Sequence, residues 1–230
     1  MARLARVVAP GYPHHVTQRG NRRQRVFFSQ GDYAAYLELM AEWCGKCGVE
    51  MWAYCLMPNH VHLVVVPTTA DGLRRGIGEA HRRYTRRINF RKGWRGHLWQ
   101  GRFASFVMDE DYLLQAVRYV EINPVRAGLA SKADAWPWSS AAAHAAGRDD
   151  ALVKVGPVRR RVLEHWPDWR RYLLGSSAED LPTAMHRHEA TGRPLGGRRF
   201  LEKLESLLGR PLLLRKRGPK PKGRQETKRN

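Results

Sequence analysis

Val49-Glu-Met-Trp-Ala-Tyr-Cys-Leu-Met-Pro-Asn-His-Val-His-Leu-Val-Val-Val66 reads as two β-strands folded back on one another about Pro58-Asn59. Val49 to Met57 and His60 to Val66 are rich in β-branched and aromatic residues, and the dipeptide between them is a turn signal. Side chains alternate across a strand, so His60 and His62 share one face while Val61 points to the other. Their Cα atoms then stand roughly 6–7 Å apart, a spacing that one metal ion can bridge. A strand that buries Val64 and Val66 has no packing reason to carry two imidazoles on one face. Taken alone, a His-x-His pair is more often hydrogen-bonded or superficial than ligating, so the rest of the chain must decide.

Outward from this hairpin the pattern is β-α-β-β-α-β. Pro13 to Gln18 alternates like a first strand and leads into the basic loop Arg19-Gly-Asn-Arg-Arg-Gln-Arg25. Asp32 stands as the N-cap of a helix in which Tyr36, Leu37, Met40 and Trp43 recur at helical spacing. A second helix, Leu73 to Phe90, has Leu73, Ile77, Ala80, Tyr84 and Ile88 on one stripe, with Arg74, Arg75, Arg82, Arg83, Arg86 and Arg87 on the remaining surface. Such a helix packs by its apolar stripe and offers a positive flank to phosphates. Gly96-His-Leu-Trp-Gln-Gly-Arg-Phe103 leads into a fourth strand through Met108. Asp109 or Asp111 then caps a helix, Tyr112 to Ile122, that ends before Pro124. The order predicts an α+β fold, a ferredoxin-like split βαβ antiparallel sheet with helices on one face.

After Gly128 the texture changes to short helical segments, expected from Trp136, around Val158–Trp166, at Trp169–Leu174 and over Phe200–Leu208. Arg215-Lys-Arg-Gly-Pro-Lys-Pro-Lys-Gly-Arg224 reads as a disordered basic tail. The chain therefore divides into a domain over 1–130, a helical C-terminal extension over 131–212 and a tail over 213–230.

Charge is the dominant global property. Within 230 residues, 41 Lys and Arg face 21 Asp and Glu, a formal net charge of +20. No apolar run approaches a membrane span and no hydrophobic signal segment follows Met1, so nucleic acid, not a membrane, is the expected partner. Arginine suits this role because it grips phosphate bidentately and stacks on bases. Three cysteines, an odd and low number, fit a reducing cytoplasm, with association to the nucleoid if DNA is the partner. Cys44-Gly-Lys-Cys47 has knuckle spacing but no second pair of ligands, and reads as structural.

Tyr119 and Asn123 are four apart on the helix before Pro124 and share a face. Tyrosine can serve as a covalent nucleophile, and an amide oxygen suits a hard divalent cation. Singly, each has an ordinary role, as a core aromatic and as a helix cap. Together with Met57-Pro-Asn-His-Val-His-Leu63, Trp99-Gln-Gly-Arg-Phe103, Tyr119-Val-Glu-Ile-Asn-Pro-Val-Arg-Ala-Gly128, His15-Val-Thr-Gln-Arg-Gly-Asn-Arg22 and Trp136-Pro-Trp-Ser-Ser140, they carry a resemblance. Over about the first 140 residues the chain resembles the REP-associated tyrosine transposases, a branch of the HUH single-strand DNA nucleases and transposases with one catalytic tyrosine. Thr191-Gly-Arg-Pro-Leu-Gly196 and the basic end resemble extensions of longer relatives.

The resemblance implies that His60 and His62 are metal ligands, that Asn123 stands in the place of the third ligand, and that Tyr119 is the nucleophile. It implies a magnesium or manganese ion, and cleavage and rejoining of single-stranded DNA at a hairpin through a 5′-phosphotyrosine. Arg19, Arg22, Arg23, Trp99 and Arg102 are the candidate DNA contacts. Dimers occur in the wider family, so a homodimer is a further expectation. Two other readings remain: a domesticated protein that holds DNA or RNA hairpins without cutting, and a hydrolytic zinc site with no covalent step.

Overall fold

β1 (His14–Arg19), α1 (Gln30–Lys46), β2 (Val49–Met57), β3 (His60–Pro67), α2 (Gly72–Lys92) and β4 (Ala104–Val107) follow one another as the pattern predicts. They are seen in a computed structural model that describes residues 6–175 and 181–213; the basic tail from Arg215 lies outside the described residues. The strands form one antiparallel sheet in the order β2-β3-β1-β4.

Alternation sorts the sheet into two faces. Val16, Leu56, Val61, Leu63 and Val65 pack against Tyr36 and Met40 of α1 and Leu73, Ile77, Tyr84 and Ile88 of α2, so the two crossover helices share one face. Ala53, Cys55, Met57, Val64 and Phe106 face the other way, onto α3 (Glu110–Arg126) and the extension. A bulge at Trp52 shifts the register between Met51 and Ala53, which keeps both halves of β2 on their proper faces.

Two helix ends differ from the sequence reading. Ser29, not Asp32, is the N-cap of α1; Asp32 is the third helical residue, its carboxylate accepting from the backbone N–H of Phe28 and Ser29 in a capping box. Asp109 caps α3 as expected, yet the helix runs through Pro124 to Arg126. Proline removes one bond, to the Val120 carbonyl, and in the last turn that single loss does not stop the helix. Asn123 is thus a helical residue and not a cap; its carbonyl accepts from Ala127 N–H.

The extension supplies α4 (Ala141–Ala146), α5 (Gly156–Leu163), α6 (Trp169–Leu174), α7 (Leu181–Thr191) and α8 (Arg198–Leu208). Of these, α7 was missed: Pro182 and only two strong apolar anchors, Leu181 and Met185, hide its periodicity. The extension shares the core of the sheet, since Val158, Trp169, Tyr172, Leu181 and Met185 join the cluster of α3. It also bonds to both outer strands. Leu56 N–H donates to the Trp138 carbonyl and Ser140 N–H to that of Tyr54 along β2, while Leu195 N–H donates to the Val107 carbonyl at the end of β4. At the junction, fully buried Glu121 accepts from Ser140 Oγ (2.6 Å) and Trp169 Nε1 (2.7 Å) and bonds His144 Nδ1 (2.7 Å).

Cys44 and Cys55 are buried and unbridged, and burial pushes the Cys44 thiol up to about 12, in keeping with the structural reading of Cys44-Gly-Lys-Cys47. Burial also pushes His81, which is bonded to the Tyr36 hydroxyl at 2.8 Å, down to about 3. The unfolded chain takes up this proton near pH 6.5 and the folded chain only near 3, so falling pH favours unfolding between those values. His81 should account for about 1.4 kcal/mol of stability lost per pH unit in that window. Denaturant titrations of wild type and His81→Gln at stepped pH check this; the variant's curve should be flatter by that slope.

Candidate active site

Antiparallel register gathers the site. Thr17 lies opposite His62 and Arg19 opposite His60, and directly opposed residues share a face. His15, two residues before Thr17, therefore stands diagonal to His62; their rings stack at 5.4 Å. α3 lies across this same face and sets the Tyr119 ring edge-on to His62 at 5.5 Å. The His60 ring meets His62 at 4.9 Å. Strand and helix, whose meeting the chemistry requires, do meet.

Each histidine of the motif has its Nδ1 engaged. His60 Nδ1 bonds Asn59 Oδ1 at 2.6 Å, and His62 Nδ1 bonds His15 Nε2 at 3.2 Å. No hydrogen bond to Nε2 of either ring comes from the described residues. Burial drives His60 down to about 4 and His62 well below its ordinary range, so both rings are neutral at physiological pH, the state in which imidazole ligates. Burial, then the Glu189 carboxylate, pushes the Tyr119 phenol up; Arg126, Arg19 and a hydrogen bond from Asn123 oppose them. The Arg126 guanidinium stands 5.4 Å from the Tyr119 ring centre. Asn123 thus meets the site through Tyr119.

Beside the expected His62, two residues here, His15 and Glu189, were not expected as site residues from sequence. His15, His62 and Glu189 bring one ligand atom each within 4.8 Å of one another. Glu189 comes from α7, where Leu181, Met185 and Glu189 recur every fourth position. A carboxylate that continues an apolar stripe is the signal that could have found it. His186 Nδ1 bonds Glu189 at 3.3 Å, and Arg19, Arg102, His186 and Glu189 line a cleft of about 340 Å³. A larger hollow of about 550 Å³ in the extension, lined by Ala142, Ala145 and Trp169, holds none of the site residues.

The basic loop is bound to the histidine turn. Asn59 Nδ2 donates to the Arg23 carbonyl, Gly20 N–H to the Asn59 carbonyl and Asn21 N–H to Leu98. Gly20 has no alternative residue, because a Cβ there would stand 2.2 Å from the Gln24 carbonyl oxygen. Arg22 and Arg23 adopt left-handed backbone angles (φ 52° and 60°) and project into solvent, a strain of order 1 kcal/mol each held by these bonds. Arg102 is also exposed and lines the cleft with Arg19. Trp99 is only 6% exposed and sits in the core against His81 (5.0 Å) and Tyr84 (6.0 Å). Its apolar ring anchors the Gly96–Phe103 segment and does not stand ready to stack on a base.

A family model described as "Transposase IS200 like" matches residues 10–123. A Haemophilus influenzae protein named as a REP-associated tyrosine transposase is 28% identical over 108 residues, 42% of this chain and 61% of that protein's own length. A solved REP-associated tyrosine transposase bound to a REP hairpin shares the fold, with a TM-score of 0.52 and 20% identity over 67% of this chain and 92% of that one. The described residues contain no helix long and apolar enough to cross a membrane.

Proposed function

We propose that this chain, whose residues 10–123 match the IS200-like transposases, cleaves and rejoins single-stranded DNA at hairpins, with Tyr119 as the nucleophile. The observation that carries this reading is the Tyr119 ring edge-on to His62, 5.5 Å away, on a buried face flanked by Arg19 and Arg126. Tyr119 Oη attacks the scissile phosphorus, the bond from phosphorus to the 3′ oxygen breaks, and the tyrosine becomes joined to the 5′ phosphate as a free 3′ hydroxyl leaves. A DNA hydroxyl reverses the step, since the phosphotyrosine bond preserves its energy.

The donor set fits a divalent ion. His60 and His62 are neutral and are each held through Nδ1, and Asn123 offers an amide oxygen from the turn that carries Tyr119. Such an ion, magnesium or manganese, would supply charge stabilisation at the scissile phosphate. The chain's own groups do the rest. Arg19 and Arg126 stabilise the phenolate form of Tyr119, the Asn123 amide orients its oxygen, and the face buried beneath α3 excludes water. Arg22, Arg23 and Arg102 hold the DNA backbone, in line with the net charge of +20.

Incubating the protein with labelled repeat-hairpin oligonucleotides and manganese should give a denaturation-resistant adduct. Chelation, or His62→Ala, should lower its formation at least about a hundredfold. Hairpin binding with no cleavage under any metal would select the non-catalytic reading. Metal-dependent cleavage without an adduct would select the hydrolytic one.

A further inference from the structure

We propose that Glu189 and His15 form a carboxylate–histidine relay that orients His62 with Nε2 toward the ion, making the C-terminal extension part of the metal centre. This inference rests on the metal-binding reading of His60 and His62. Its positions lie outside the His60-Val-His62 and Tyr119–Asn123 motifs, and Glu189 lies beyond the matched residues 10–123.

Two contacts make the relay. His62 Nδ1 is 3.2 Å from His15 Nε2, and His15 Nδ1 is 3.6 Å from Glu189 Oε1. His15 is wholly buried, and its Nδ1 has no hydrogen-bond partner. The Glu189 carboxylate, 3.6 Å away, is the ionic partner of that nitrogen. Glu189 is itself steadied by His186 Nδ1 at 3.3 Å.

Proton counting decides the direction. A neutral imidazole has one N–H and one lone pair, so two facing rings share a single proton. In one arrangement His62 Nδ1–H donates to His15 Nε2. His15 then carries its proton on Nδ1, against the carboxylate, and His62 Nε2 keeps a lone pair for the ion. In the other, His15 Nε2–H donates to His62 Nδ1. His62 then carries its proton on Nε2 and cannot ligate there, while a bare His15 nitrogen confronts a bare carboxylate, two acceptors with nothing between them. In its ionised form, which burial disfavours by raising its pKa and which His186 and Arg19 favour, Glu189 therefore selects the ligating tautomer. His60 needs no such relay, because Asn59 Oδ1, which can only accept, engages its Nδ1 directly. The roles differ accordingly: Glu189 and His15 are positioning residues, acting through His62.

Imidazole nitrogen NMR on the full-length, metal-free protein labelled with ¹⁵N-histidine reads the tautomer. In wild type His62 should carry its proton on Nδ1; in Glu189→Leu and in His15→Phe that preference should be lost. Manganese binding by calorimetry should weaken 10- to 100-fold in both variants, with Glu189→Gln, which keeps an accepting oxygen, recovering part of the loss. A wild-type His62 protonated on Nε2 overturns the relay, as does a Glu189→Leu affinity within twofold of wild type. Weakened binding in Glu189→Leu with an unchanged His62 tautomer also overturns it, by making Glu189 a direct ligand. If wild type binds no manganese, the metal-site reading fails, whereas the tautomer measurement still decides the relay.

Discussion

Tyr119→Phe should form no covalent adduct, a loss of at least about a thousandfold, while hairpin binding stays within a few-fold of wild type. The separation follows from where the hydroxyl sits. Phenylalanine keeps the edge-on contact with His62 and the guanidinium of Arg126 over the ring, so α3 stays seated and the arginines remain in place. What disappears is one oxygen and its hydrogen bond from Asn123, worth about 1 kcal/mol of stability. Denaturing gels and a mobility-shift titration on the same labelled hairpin measure the two quantities together. An adduct that persists in Tyr119→Phe would remove Tyr119 from its role. Because burial and Glu189 hold the Tyr119 phenol above its ordinary range, wild-type adduct formation at saturating metal should rise with pH across neutrality.

Glu121→Ala should cost about 3–5 kcal/mol, a large share of the roughly 5–15 kcal/mol that holds a domain folded. Its carboxylate is wholly buried and engages Ser140, His144 and Trp169 at once. Truncation leaves those groups without their shared acceptor in a place water does not reach. Glu121→Gln, which keeps one acceptor oxygen, should lose less. Denaturant unfolding followed by tryptophan fluorescence ranks the three proteins; a Glu121→Ala midpoint matching wild type would refute the network's structural weight. Since Trp169 and His144 belong to the extension, the same variant should loosen α4 and α6 before the sheet, which hydrogen exchange resolves by segment.

The sheet and its two crossover helices were legible because burial on one face imposes strict periods: Val49–Met57 was read to the residue, and the stripe of α2 predicted its length to within two residues at each end. Caps were less legible, since Ser29 and Asp32 both belong to one capping box and only backbone geometry separates their roles. Pro124 misled for a related reason: a helix tolerates proline when few bonds remain to be lost. The Trp99 ring could not be assigned, because an aromatic beside arginines looks the same from sequence whether it faces DNA or the core. His60, His62 and Tyr119 announced themselves through recognisable motifs. Glu189 did not, because the helix that delivers it has too few apolar residues to be seen, and its nearness to His15 is a product of tertiary packing alone.

The bonds that residues 138–140 and Leu195 make to β2 and β4 have a consequence for any attempt to shorten the protein. A chain ending near residue 130 would leave β2 without the partners it has in Trp138 and Ser140, and the end of β4 without Leu195. The Leu56 N–H and the Tyr54 and Val107 carbonyls would then lose their partners, opening outer edges onto which a neighbouring molecule could add a strand. The extension acts as the selvedge of the sheet, and a chain trimmed of it should self-associate more than the full chain does, which light scattering measures.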